Sequence, residues 1–243
     1  MDHIAFFWVG DDTRVPTCLV QSALAVYGNE VQLYQLTDEI TPAVAGVQNV
    51  YRSALSQDIM VARLQAYAAL PDTGAMVFYC DADSLFVKPL HLHALDPTKI
   101  HITERDNGSA RINPNYPEHY PEFENQSLGE VMPFLFGAMA ACNGSAFFHQ
   151  LLGICQALPA RFHRWYGDQV ALYAAYRLQP PAFDRLNLNT YLHIERDEVP
   201  VARFEELMRQ NVKMVTFKGP TSKVHMPHSL HHLQQVLRTA GGR

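Results

Sequence analysis

The sequence predicts an α/β protein, a single domain whose mostly parallel central sheet is flanked by helices. Three observations support this. Strand and helix patterns alternate along the first 80 residues. The apolar run Ala75–Cys80 leads directly into two carboxylates. The chain has 243 residues, 48% of them hydrophobic and 18% charged, which suits one large domain over residues 1–243 with ample core.

The elements before residue 81 follow the order β-α-β-α-β. Apolar residues recur at helical spacing between Val15 and Val26, and Pro71 ends a second helical pattern. The order predicts parallel strands joined by right-handed crossovers. The predicted elements are a strand at Ile4–Val9, a helix from Val15 that stops at Gly28, a strand at Val31–Leu36, a helix at about Asp58–Leu70 and a strand at Ala75–Cys80.

The second half continues the pattern after an interruption. Its predicted elements are strands at Lys99–Thr103 and Phe134–Ala141, helices at Ser145–Leu158 and Trp165–Leu178, a last strand at Val212–Phe217 and a short C-terminal helix.

Residues 104–130 interrupt the pattern with a long, polar, Pro-rich segment. Loops of this length in compact domains are usually lids or binding loops, so this segment is a candidate acceptor or lid loop. Tyr116, Tyr120 and Phe123 offer apolar faces for sugar rings. The alternative is a surface excursion that packs its own aromatic side chains.

Asp81 and Asp83 follow the apolar strand at its carboxyl end. Ligands of open α/β sheets bind at that edge, and two carboxylates there suit Mg²⁺ or Mn²⁺ together with substrate phosphates. The triplet alone is weak, since 13 Asp in 243 residues give about 0.7 Asp-x-Asp triplets by chance. The alternative is an Asp-rich turn that leaves the strand.

Cysteine usage and the lack of long apolar runs indicate the compartment. Cys80 and Cys142 lie in strongly apolar surroundings, and the four cysteines show no paired spacing. They are typical of reduced core residues in a cytoplasmic protein. No apolar run approaches the ~20 residues that span a bilayer, and the N-terminal residues lack the features of a signal peptide.

Positive charge is concentrated near the C-terminus. Residues 203–243 carry a net charge of +5, so the rest of the chain carries −10 within a total of −5. A basic segment on an acidic body suits a phosphate-bearing ligand or peripheral contact with an anionic membrane; the alternative is a solvated basic helix. A pI of about 6.2 argues against a nucleic-acid partner.

Four segments, taken in order, resemble the A-type nucleotide-sugar glycosyltransferases. The resemblance is greatest to family 8, which includes glycogenin and bacterial lipopolysaccharide galactosyltransferases, and it implies a Rossmann-like A-type glycosyltransferase domain. The segments are residues 7–12 (FWVGDD), 78–90 (FYCDADSLFVKPL), 165–172 (WYGDQVAL) and 216–223 (TFKGPTSK).

The resemblance implies roles for individual residues. Asp81 and Asp83 would hold Mn²⁺ or Mg²⁺, while Asp168 and Gln169 would lie near the reacting carbon of the sugar; the alternative for this second pair is a first-turn polar pair of a helix. The remaining implied donor contacts are Val9 and Asp11 for the nucleobase, the Ala82 backbone for the ribose, and Arg63, Lys218 and Lys223 for the diphosphate.

The sequence departs from the family at the last segment. The position where the family commonly has a metal-binding His is Thr216, and the stretch from Gly219 to Lys223 is one residue longer. His225 lies just downstream as another potential ligand. A zinc site formed by His228, His231 and His232 is a further alternative, because these three positions share a helix face.

The expected function is metal-dependent transfer of a sugar from a nucleotide diphosphate donor, a UDP-hexose, to a glycan or glycolipid acceptor. Two alternatives stay open. In a haloacid-dehalogenase-type phosphatase, Asp81 would be the nucleophile. A non-catalytic sugar-nucleotide-binding protein would bind the donor without turnover, a hypothesis motivated by Thr216.

Overall fold

A computed structural model describes residues 1–105, 108–112 and 119–241. In chain order, the described strands are β1 (Asp2–Phe7), β2 (Val31–Thr37), β3 (Asn49–Arg52), β4 (Val77–Asp81), β5 (Ser84–Phe86), β6 (Ile100–Glu104), β7 (Phe134–Ala141), β8 (Phe183–Leu186), β9 (His193–Glu195) and β10 (Met214–Phe217).

The helices lie between and after these strands. They are α1 (Arg14–Tyr27), α2 (Ile59–Ala68), α3 (Leu128–Val131), α4 (Gly144–Ala157), α5 (Ala160–Arg164), α6 (Gly167–Leu178), α7 (Leu188–Tyr191), α8 (Val201–Arg209), α9 (Pro220–Lys223) and α10 (Met226–Gly241). The predicted elements before residue 81 are confirmed to within a few residues at each end. The C-terminal helix, expected to be short, has 16 residues.

Seven strands form the central sheet, in the order β3-β2-β1-β4-β7-β6-β8. β7 runs antiparallel to both of its neighbours, and the other pairs are parallel. All eight residues of β7 are buried, because the strand lies inside the sheet with both faces covered. The predicted mostly parallel sheet is confirmed, with one reversed strand beside β4.

The last predicted strand does not join the central sheet. β10 pairs antiparallel with β5 and parallel with β9 in a second, three-stranded sheet. Its two partners have three residues each, too short to give a periodic signal. This pairing places Thr216 opposite Ser84, one residue beyond Asp83.

Helices cover both faces of the central sheet. Leu64, Tyr67, Phe148 and Leu172 of α2, α4 and α6 lie in one apolar cluster with residues of β4 and β7. On the other face, Leu19 of α1 packs in a cluster with residues of β1 and β4, and α8 and α10 pack with β10 in a third. Within the described residues, no helix is both long and apolar enough to cross a membrane.

Two of the three aromatic residues named in the long loop are core residues, which corrects the sugar-face prediction for these two. Tyr120 is 0% and Phe123 4% exposed. Their rings pack against Phe162 with centroid distances of 5.3 and 5.4 Å. Burial of large aromatic surface stabilises the folded chain, so these two rings are not free to face a ligand. Tyr116 lies outside the described residues.

Candidate functional site

The first and fourth strands end side by side at one edge of the sheet. Phe7 pairs with Asp81 in the parallel register of β1 and β4. Val9 and Asp11 therefore follow β1 at the edge where Asp81 ends β4; Val9 is partly buried and Asp11 is exposed. Ala82 is 6% exposed and its side chain packs in an apolar cluster, so only its backbone is available to a ligand.

Asp81 and Asp83 converge on the ammonium group of Lys218. Lys218 Nζ donates to Asp81 Oδ2 and, at 3.2 Å, to Asp83 Oδ1. Lys223 Nζ lies 3.0 Å from Asp83 Oδ2. The two lysines expected on the phosphate loop thus lie at the carboxylate pair. The structure brings residues from β4 and from the chain after β10 into one charged cluster.

Thr216 fixes Asp83 from the second sheet. Its hydroxyl is buried and lies 3.3 Å from both the backbone oxygen and Oδ1 of Asp83. The amide of Phe217 donates to the same backbone oxygen at 2.8 Å. At the position where the resemblance expects a metal-binding His, this chain therefore has a hydroxyl that orients a carboxylate.

Arg63 joins the aspartate pair to the second expected pair. Its guanidinium donates to Asp81 Oδ1 at 3.0 Å and forms an ion pair with Asp168 Oδ2. The guanidinium carbon also lies 4.6 Å from the centre of the Phe136 ring. Only 16% of the Arg63 side chain is exposed. Arg63 was expected at the diphosphate; in the structure its contacts are to two carboxylates.

Asp168 and Gln169 lie in the first turn of α6, beside this ion pair. Asp168 is fully buried, and its Oδ1 accepts from the Gln169 amide at 2.7 Å. The Gln169 side-chain oxygen accepts from Arg105 Nη2. The pair is thus both part of the helix start and part of the charged cluster. Arg105 was not predicted as a site residue, although its position after β6, another strand of the same sheet, was a usable signal.

The neighbouring cations change the pKa of Asp81. Burial alone would raise the pKa of Asp81, but Lys218 and Arg63 outweigh it and lower that pKa to about 2. Burial would likewise lower the pKa of Lys218, yet Asp81 and Asp83 raise it above its ordinary value. Asp81 and Lys218 are therefore both charged at neutral pH.

Gly137 allows the Asp81 carboxylate to lie directly against β7. A Cβ on this β7 residue would overlap Asp81 Oδ2, and it would lie 2.9 Å from the Asp81 Cγ and 3.4 Å from Lys218 Nζ. Real Cβ atoms do not have contacts as short as the distance to the Asp81 Cγ, so any side chain at this position would displace the Asp81 carboxylate. The glycine is required for the close approach of β7 to the charged cluster.

Gly137→Ala is expected to destabilise the fold by about 1–3 kcal/mol through overpacking and to weaken any ligand held by Asp81. Urea unfolding and calorimetric titration would measure the two effects. The matched control is Gly153→Ala on α4, where a Cβ would meet nothing within 4 Å; this change is expected to be neutral or stabilising by up to about 1 kcal/mol. Equal stability of Gly137→Ala and the unmodified protein would contradict the packing argument.

The two aspartates suit a divalent cation. Their oxygens already converge on one positive group, the Lys218 ammonium. Hard oxygen ligands are those that Mg²⁺ and Mn²⁺ prefer. Among the residues that the structure describes, however, no group of three or more His, Cys, Asp or Glu side chains is arranged to hold a metal. A cation here would have two protein carboxylates and would share its position with Lys218.

The histidines of the C-terminal helix do not form the zinc alternative. His228 and His232 contact Glu198 at 3.3 and 3.6 Å, while His231 contacts Gln235 at 3.0 Å. Two of the rings thus share Glu198 while the third contacts an amide, and among the described residues no group of three or more His, Cys, Asp or Glu side chains is arranged to hold a metal, so the zinc interpretation is not supported.

Several cations of the basic segment are paired with carboxylates or buried. Lys218 and Lys223 contact the aspartates, Lys213 is 7% exposed, and Arg203 is paired with glutamates. Of its seven cations, three are thus paired with carboxylates and a fourth is buried, which reduces the positive charge that motivated a membrane contact.

The chain has the A-type glycosyltransferase fold. It is similar to a crystal structure of the galactosyltransferase LgtC in complex with donor and acceptor sugar analogs, with a TM-score of 0.60 and 15% identity over 98% of this chain and 95% of that one. The chain is also similar to a crystal structure of an active-site mutant of LgtC. That comparison has a TM-score of 0.59 and 16% sequence identity, and it covers 99% of this chain and 95% of the mutant chain. No protein-family model and no curated protein matches the sequence. The predicted fold is confirmed by these structures.

Proposed function

We propose that this protein is a metal-dependent glycosyltransferase. It would move a hexose from a UDP-sugar, or a related nucleotide diphosphate donor, to a glycan or glycolipid acceptor. The observation that carries the proposal is the charged cluster of Asp81, Asp83, Lys218 and Lys223 at the carboxyl edge of an LgtC-like fold. LgtC was crystallised with donor and acceptor sugar analogs, which supports the same two ligand classes here.

The donor would lie along the ends of β1 and β4. Val9 and Asp11 follow β1 and would contact the nucleobase, and the Ala82 backbone would face the ribose. Lys218 and Lys223 carry positive charge at this edge, which suits a diphosphate since ammonium groups bind phosphate as point charges.

Asp81 and Asp83 would hold Mn²⁺ or Mg²⁺, which when bound neutralises charge on the nucleotide diphosphate leaving group. Thr216 would keep Asp83 oriented through its hydroxyl. Arg63 would keep Asp81 ionised and in place. These contacts hold the two carboxylates in fixed positions relative to each other, which is the kind of preorganisation that stabilises charge in a reacting site.

Asp168 and Gln169 would lie at the reacting carbon of the sugar. Arg63 holds the Asp168 carboxylate by an ion pair, and Arg105 holds the Gln169 amide oxygen. Each side chain therefore has a fixed position relative to the aspartate pair, and positioning of this kind supplies a large part of the rate in transfer reactions.

UDP together with Mn²⁺ is expected to raise the melting temperature. Ligand at ~100 times its dissociation constant stabilises a protein by about 2.7 kcal/mol, which for a chain of this length corresponds to roughly 5–10 °C. A thermal-shift series with UDP, UDP-sugars, AMP and simple sugar phosphates, each with Mn²⁺ or EDTA, would measure it. AMP and sugar phosphates should have little effect.

Activity assays on the same purified protein distinguish the glycosyltransferase from the two alternatives, a sugar-nucleotide-binding protein and a phosphatase. Slow hydrolysis of a UDP-sugar, or transfer to an added glycan, would support an enzyme, whereas a UDP shift without turnover of any donor would indicate a binding protein. Burst release of phosphate from p-nitrophenyl phosphate, lost in Asp81→Asn, would establish the phosphatase. The contacts of Asp81 argue against the phosphatase, because both of its oxygens have cationic partners and a free nucleophilic oxygen is needed for attack on phosphorus.

A further inference from the structure

Every carboxylate oxygen of the aspartate pair has a cationic partner. Arg63 contacts Asp81 Oδ1 and Lys218 contacts Asp81 Oδ2. Lys218 also contacts Asp83 Oδ1, and Lys223 contacts Asp83 Oδ2. Lys218 is the cation shared by both carboxylates, so its ammonium group lies at the position that a bridging metal ion would take.

A divalent cation cannot join this cluster without a rearrangement. The charge of the two aspartates is already balanced, and a metal ion at ligand distance from both would lie next to an ammonium group, where like charges repel strongly. Lys218 must therefore leave. Its side chain is 36% exposed and has a flexible four-carbon stem, so it can move toward solvent while the backbone stays in place.

A diphosphate gives the displaced ammonium group a new anionic partner. With the metal on the aspartates and Lys218 on the phosphates, every charge is paired. With the metal alone, Lys218 has no anion, and with the diphosphate alone, phosphate oxygens face Asp81 and Asp83 directly. Unpaired charges of this kind are costly in a partly buried site, so each ligand lowers the cost of binding the other.

We propose that Lys218 is a tethered counterion that holds the metal position until a divalent cation and a diphosphate bind as a pair. This rests on the proposed function and goes further, because it assigns to Lys218 the coupling between the two ligands. Asp81, Asp83 and Lys223 keep the roles given above. Coupling between ligands is reciprocal, so UDP tightens Mn²⁺ by the same factor by which Mn²⁺ tightens UDP.

Calorimetric titration of Mn²⁺ into the full chain, with and without saturating UDP, tests the proposal. For the unmodified protein we expect UDP to tighten Mn²⁺ binding about tenfold or more, within the usual range of coupling between sites. Lys218→Met should bind Mn²⁺ alone about tenfold tighter than the unmodified protein, and UDP should then change its Mn²⁺ affinity by less than about threefold. If Lys218→Met folds poorly, Lys218→Gln is a second neutral variant for the same test, and the same changes in Mn²⁺ affinity and in coupling are expected for it.

Lys99→Met is the matched control. Lys99 contacts the Pro181 carbonyl and lies just before β6, which runs in the same direction as β4; it is therefore at the opposite edge of the sheet from Asp81. The variant removes the same charge from the chain as Lys218→Met does, but far from the aspartate pair. It should therefore keep both the Mn²⁺ affinity of the unmodified protein and the coupling between Mn²⁺ and UDP.

The outcomes separate this proposal from the function on which it rests. If Mn²⁺ binds Lys218→Met no tighter than the unmodified protein, while UDP with Mn²⁺ still binds both, the tethered-counterion role is overturned and the donor site stands. If UDP binds the unmodified protein equally well in Mn²⁺ and in EDTA, Lys218 replaces the metal permanently, and the exchange is overturned. If UDP binds under neither condition, the proposed function itself fails.

Discussion

Asp81→Asn is expected to lower sugar transfer about a hundredfold or more, the usual effect of removing one group that stabilises transition-state charge. The substitution keeps the size of the side chain and removes one negative charge. Arg63 retains Asp168 as an ionic partner, and Lys218 retains Asp83. We therefore expect the fold to survive while metal-dependent UDP binding falls.

Steady-state transfer or donor hydrolysis, measured beside the circular dichroism spectrum, would check this result. Asp184→Asn, at an exposed position of β8, is the matched control and should retain full activity. Full activity in Asp81→Asn, with an unchanged spectrum, would show that the aspartate pair is not part of the reacting site.

Arg63→Met is expected to destabilise the fold by about 3–5 kcal/mol, the usual cost of leaving one member of a buried ion pair without its partner. Asp168 is 0% exposed, and the ion pair with Arg63 neutralises it. Asp81 would still have Lys218. Methionine fills most of the space of the arginine stem above Phe136, so the loss would come from the charge rather than from a cavity.

Urea unfolding of Arg63→Met, Asp168→Asn and the double variant forms a thermodynamic cycle. The double variant should regain part of the lost stability, because it leaves no unpaired charge, and the coupling should exceed about 1 kcal/mol. Arg177→Met is the matched control: that guanidinium also lies over an aromatic ring, Tyr173, but on an exposed side chain, and its loss should cost less than about 0.5 kcal/mol. Strictly additive effects of the two substitutions would contradict the ion-pair account.

The sequence by itself determined the fold class and the edge of the sheet where the candidate site lies. The run before Asp81 is apolar without alternation, which records burial on both faces of a sheet. Such a pattern can be read from the sequence because the burial of each position determines whether an apolar residue is favoured there. The charged ends of β1 and β4 were predictable for the same reason: parallel strands end together, so polar residues after each strand meet at one edge.

The contacts within the site were decided only by the tertiary structure. Lys218 and Asp81 are 137 positions apart, and Thr216 and Asp83 are 133 apart. No local pattern indicates that a lysine takes the position expected for a metal, or that a threonine orients a carboxylate where a histidine was expected. The aromatic residues of the long loop show the same limit, since Tyr120 packs on Phe162 and Tyr166 from a distant part of the chain. The partner of a side chain depends on how separate helices and strands pack together. The hydrophobic pattern of the sequence indicates which residues are buried, but it does not indicate which distant residues they contact.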